Sequence, residues 1–148
     1  MRTDTLDLID QIYDNARFGK EMLAELIRES DDSGFRKAIA EQFASYHGIL
    51  EEAQELFKCE ADKGFHKKRK PAGVLGGLSA RMALRMNLRI DKTSSHMAEM
   101  VMQGSVLNIT DLASGMRTFA GAEDTAKELC RKFIALEREN FSRMIDYL

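Results

Sequence analysis

One proline, no tryptophan and two cysteines occur in the 148 residues of this chain. With only Pro71, almost nothing in the sequence blocks helices, because proline breaks them through its locked φ and missing N–H. Cys59 and Cys130 are too few for a disulfide scaffold and lack the spacing of a metal site. No run approaches the ~20 apolar residues that a membrane span requires. Met1-Arg2-Thr3-Asp4 leads directly into an amphipathic pattern without an apolar leader, so the cytoplasm is the expected location. Strand-like alternation is nearly absent, which disfavours a β or α/β fold.

Catalytic templates are missing as well. The histidines at 47, 66 and 96 have no motif partner such as G-x-S-x-G. "GVLGG" lacks the Lys-Ser/Thr pair that a phosphate-binding loop needs. The sequence therefore leans against an enzyme, and neither a cofactor nor a small-molecule substrate is indicated.

What remains is helical. Composition is 44% hydrophobic and 31% charged, ordinary for one globular domain with a sizeable core. Apolar residues recur at helical spacing, predicting long helices over 4–30, 35–61, 93–119 and 123–148, with a shorter one over 74–91. The first would turn Leu6, Ile9, Ile12, Tyr13, Ala16, Leu23 and Ile27 inward. In the second, Phe35, Ile39, Phe43, Tyr46, Leu50, Ala53 and Phe57 share a face. The third presents Ala98, Met102, Ser105, Ile109, Leu112, Met116 and Phe119. The last presents Ala126, Leu129, Cys130, Phe133, Glu137, Asn140, Met144 and Leu148. "SDDSGF" and "AGAED" are short turns, with Asp32 or Ser33 and Thr93 or Ser94 available as helix caps. Short turns imply antiparallel hairpins. One long connection between them is the arrangement of an all-α, antiparallel four-helix bundle of ferritin-like type.

Three stretches carry a further likeness: "YDNARFGKEMLAEL", "GVLGGLSARMAL" and "MAEMVMQGSVLNITDLASGM". In layout and local pattern the chain resembles a group of bacterial ferritin-like four-helix proteins, a domain of unknown function. In those relatives two acids flank an Arg-Gly pair in the third long helix, where this chain has Met102 and Ser105. The resemblance implies the bundle fold without di-iron ligands, and it implies no activity.

A di-iron site in such a bundle takes one inward Glu from each of two helices and Glu-x-x-His from each of the other two, since residues three apart share a face. Here Glu21 and Glu25 fall opposite the apolar stripe of the first helix. His47 lies off the stripe of the second and follows Ala44 where Glu would be needed. "EREN" supplies Glu137 with Asn140. Glu137, Asn140 and His47 are thus weak metal candidates, and a depleted iron or manganese site is the alternative reading. His96 and Glu99 form a pair near a helix end. Met97, Met100 and Met102 point in different directions, as core filler does.

A lone inward carboxylate needs partners, because burying it charged and unpaired costs several kcal/mol. A polar layer at mid-height is the expectation, formed by Glu137 and Asn140 with Lys20, Tyr46 or Ser105, and serving to fix helix register.

Net charge is −2, but residues 63–92 contain nine Lys/Arg against one acid, a local +8 that leaves −10 for the rest. His66, Lys67, Lys68, Arg69 and Lys70 precede Arg81, Arg85 and Arg89, which recur every four residues. Attachment to the chain's own acidic surface is the leading expectation for this segment. A homo-oligomer contact or an acidic protein partner follows. Anionic lipid or nucleic acid is a further alternative, and without aromatics beyond Phe65 stacking on single strands is unsupported. The function expected from the sequence is a non-catalytic binding or assembly module.

Overall fold

The computed structural model describes residues 2–65 and 92–148. The shorter helix expected over 74–91, and the basic residues from His66 to Arg89, lie outside the described residues. Within them, four α-helices account for the fold: α1 (Arg2–Glu29), α2 (Ser33–Asp62), α3 (Ser94–Thr118) and α4 (Asp124–Met144), with a 3-10 turn at Ile145–Tyr147. No strand occurs among the described residues. No described helix is long and apolar enough to cross a membrane.

The helix starts follow from local chemistry. Asp32 caps α2 by accepting the Phe35 N–H at 3.1 Å, and its second oxygen accepts Ser94 Oγ at 3.0 Å. Thr93 caps α3 by accepting the His96 N–H at 3.2 Å. The α3–α4 turn has no side-chain cap of its own. Instead it is tied to the start of α1, where Asp4 accepts the Gly121 N–H and the buried Thr5 hydroxyl accepts the Glu123 N–H, both at 2.9 Å.

Cross-helix contacts fix the directions. On α1 and α3, Gln11 bonds to Asp111 and Gly104 lies against Met22, so these helices are antiparallel. Lys132 pairs with Glu52, and Arg143 with Glu41, which makes α4 antiparallel to α2. Lys20 with His47 and Tyr13 with Phe57 set α2 antiparallel to α1. Consequently α1 and α4 run one way while α2 and α3 run the other. Lys63 pairs with Glu123 at one end of the bundle, and Lys92 pairs with Glu29 at the opposite end. The connection from Lys63 to Lys92 must therefore span the bundle's length, ~1.5 Å per residue of α2.

The core is one apolar column. Leu8, Ile9, Ile12, Ala16, Leu23 and Leu26 of α1 meet Phe35, Ile39, Tyr46 and Ile49 of α2, with Met97, Val101 and Leu112 of α3 and Cys130, Phe133 and Met144 of α4. Several details of the sequence reading change. On α1, Leu8 and Leu26 are buried whereas Tyr13 and Ile27 are only half-buried. On α2, Gln42 is buried whereas Phe43 and Phe57 are only half-buried. On α3, Met97, Met100 and Val101 replace Met102, Ile109 and Met116 as fully buried positions. Leu148, expected inward, is 58% exposed because the helix gives way to the 3-10 turn, which changes the angular step per residue.

Candidate functional site

Glu137 is fully buried on α4, with 0% exposure. The periodicity of Ala126, Leu129, Cys130, Phe133 and Met144 rotates it inward, onto the same face as Asn140 one turn later. Both of its carboxylate oxygens accept hydrogen bonds. Oε1 accepts from Tyr46 Oη at 2.5 Å and from Asn140 Nδ2 at 2.9 Å; Oε2 accepts from Asn108 Nδ2 at 2.9 Å. Three helices thus converge on one carboxyl group.

Tyr46 reaches it because its ring lies over Gly19 of α1. A β-carbon at that position would stand 3.0 Å from the ring's Cζ, so any other residue would push the ring back by a few tenths of an ångström. Phe133 packs edge-on against the other side, with ring centroids 5.8 Å apart. Ser105 is buried on the neighbouring turn of α3, and its hydroxyl has no partner among the described residues.

Burial dominates the electrostatics. It raises the Glu137 carboxyl above the ordinary glutamate range, while the bonds from Tyr46, Asn108 and Asn140 pull it partly back. The Tyr46 phenol is pushed well above its ordinary value, first by burial and then by the negative charge of Glu137. Neutral donors around a costly buried carboxyl suit a group held for its geometry.

Lys20 lies outside this cluster. Its ammonium bonds to His47 Nδ1 at 2.9 Å and sits 5.1 Å from the centre of the Phe43 ring. The expected Lys20 partnership with Glu137 is therefore replaced by one with His47, at the edge of the α1–α2 hairpin. Lysine's long apolar stem lets it flank a core stripe while its charge stays outside. Asn108, which was not expected, completes the cluster. Its signal was available: it follows the inward Ser105 by three residues and so shares that face.

Of the candidate metal residues, Glu137 and Asn140 come together, and His47 does not join them. His47 is exposed and its Nε2 is 3.0 Å from Glu51, on the outer side of α2. His96 pairs with Glu99 at 3.9 Å near the start of α3. Met97 and Met100 are buried in the core. Among the described residues, no group of three or more His, Cys, Asp or Glu side chains is placed to share an ion. At Glu137 the donor chemistry itself fits a metal poorly, since both oxygens face N–H and O–H donors that an ion would have to displace.

A different feature lies on the outer face of α3 and α4. Met102, Gln103, Val106, Leu107 and Phe141 line an apolar groove of about 450 Å³. Leu107 is 71% exposed and Val106 49%. From Met100 to Thr110 there is no charged residue, although 31% of the chain is charged. Gln103 and Thr110 in that stretch are exposed as well.

No family model, curated protein or solved structure matches this chain.

Proposed function

We propose that this chain is a ferritin-like four-helix bundle acting as a non-catalytic assembly module, which associates with a second copy through the α3–α4 face. Two parallel inner helices joined by one long connection support the ferritin-like reading. The Glu137 cluster then serves as an internal pin, setting the height of α2 against α3 and α4.

The observation that carries the assembly reading is the uncharged stretch from Met100 to Thr110 on a helix that is partly open to solvent. A solvent-facing helix surface is normally charged, and a contiguous apolar patch marks a contact site. An uncharged face suits a two-fold contact in particular. Residues near the axis meet their own copies, so any charge there would face a like charge.

Sedimentation equilibrium over a range of concentrations tests this, with Leu107→Lys as the disrupting variant. Wild-type protein is expected to form dimers as concentration rises, and Leu107→Lys to remain monomeric with unchanged helical circular dichroism. A wild-type chain that stays monomeric at high micromolar concentration contradicts the proposal.

A further inference from the structure

The α1–α2 hairpin carries a three-membered relay that the assembly reading does not use. Lys20 Nζ lies 2.9 Å from His47 Nδ1, and His47 Nε2 lies 3.0 Å from Glu51. The two neighbours fix the imidazole's tautomer. The Glu51 carboxylate has no proton to give, so Nε2 carries the hydrogen and donates it. Nδ1 is left with its lone pair directed at the Lys20 ammonium. A nucleophile, a base within hydrogen-bond reach and a third group orienting that base form the general pattern of an activated nucleophile.

We propose that Lys20 is a preferred site of covalent acylation, with His47 as its general base and a small acyl thioester as the donor. His47 Nδ1 takes a proton from the Lys20 ammonium, and Glu51 stabilises the imidazolium that results. The neutral amine then attacks the thioester carbonyl. The C–S bond breaks as the attacking nitrogen gives up its second proton to solvent, the thiolate departs and takes up the proton held by His47, and an amide remains on Nζ. Ammonium and thioester give amide, thiol and one released proton, with no oxidant or reductant. Lys20 is half-buried, and His47 and Glu51 beside it are exposed on the bundle surface, so a soluble donor approaches from the side of the imidazole. Because the acyl group ends as a stable amide on Nζ, the outcome is a single self-modification and not turnover.

Position sets Lys20 apart from other lysines. Lys63, Lys92 and Lys132 pair with carboxylates, which hold an ammonium in its charged form and are poor proton acceptors. Among the described residues Lys20 is the lysine bonded to an imidazole. The Phe43 ring opposes the reaction, since a cation over an aromatic face is stabilised as a cation. That opposition gives a test with an unusual sign.

The full chain is incubated with the neutral acetyl thioester of N-acetylcysteamine, and acetylation at each lysine is followed by peptide mass spectrometry. Lys37, Lys58 and Lys127 serve as internal references. Lys20 is expected to react at least tenfold faster than these. His47→Gln should bring it down to their rate, in line with the ~10²–10⁴-fold contribution of a general base. Glu51→Gln should give an intermediate rate, and Phe43→Leu should raise it. The proposal is overturned if Lys20 reacts no faster than the reference lysines, or if His47→Gln leaves its rate unchanged. Unchanged reference rates in each variant exclude unfolding as the cause.

Discussion

Tyr46 on α2 donates its phenolic hydrogen to Glu137 on α4 at 2.5 Å, across a sequence separation of 91 residues. Neither group can face water, and each solves the other's burial. With Asn108 and Asn140 added, the carboxylate that could have been a remnant of a metal site is fully occupied by protein donors.

Two carboxyl groups give stability opposite dependences on pH. The Asp32 carboxyl is lowered by its bond from the Phe35 N–H, then by Ser94. Its contribution is present above the ordinary aspartate value and is lost as pH falls through the depressed folded value. The Glu137 carboxyl is raised by burial, so its contribution is complete below the ordinary glutamate value and is lost as pH rises through the elevated folded one. Urea unfolding across pH should therefore show Asp32→Asn flattening the acid limb and Glu137→Gln flattening the limb above it.

Two glycines should respond oppositely to alanine. At Gly19 the new methyl would meet the Tyr46 ring at 3.0–3.4 Å, and that ring is held by Glu137 and Phe133. The clash outweighs alanine's helix preference, and Gly19→Ala is expected to lose about 1–2 kcal/mol. At Gly104 the nearest atoms belong to the flexible tip of Met22, at 3.2 and 3.7 Å. Gly104→Ala should be neutral or gain up to about 1 kcal/mol. Denaturant midpoints measured side by side decide both.

How much of this was legible depended on the contrast within each helix. On α4, charged and apolar residues alternate at helical period, and the buried set from Ala126 to Met144, with Glu137 and Asn140, could be read directly. On α3 the uncharged stretch from Met100 to Thr110 removes the polar face that would orient the helix. Its stripe was consequently read rotated, and Asn108 was missed. On α2, Phe43 was preferred to Gln42 on hydrophobicity alone, yet Phe43 serves at the edge beneath Lys20. Tyr46 and Asn140 were legible as partners of Glu137 but Asn108 of α3 was not, because pairing across helices depends on relative height, which no single helix encodes.

Gln42 offers a route to higher stability. It is 1% exposed, and neither its amide oxygen nor its nitrogen has a partner among the described residues. Gln42→Met keeps the shape and removes two unsatisfied polar atoms. A gain of about 1–2 kcal/mol is expected in urea unfolding; a loss would mean that the amide is bonded in solution.

The two thiols should differ sharply in reactivity. Cys59 is exposed, whereas Cys130 is buried, bonds weakly to the Leu112 carbonyl, and is pushed up to about 11 by burial. A chromogenic disulfide reagent at neutral pH should titrate one thiol in the native protein and two in denaturant.

The most direct test of the Glu137 cluster as a structural pin is the unfolding free energy of Glu137→Gln and Glu137→Leu against wild type at neutral pH. Glutamine can still accept from Tyr46, and the Asn108 amide can turn to meet it, so its change should stay within about 1 kcal/mol. Leucine strands the phenol and both amides and should cost about 2–4 kcal/mol. Equal losses for the two variants would mean that the negative charge itself is required, as for a metal ligand, and would contradict the account; so would two neutral results.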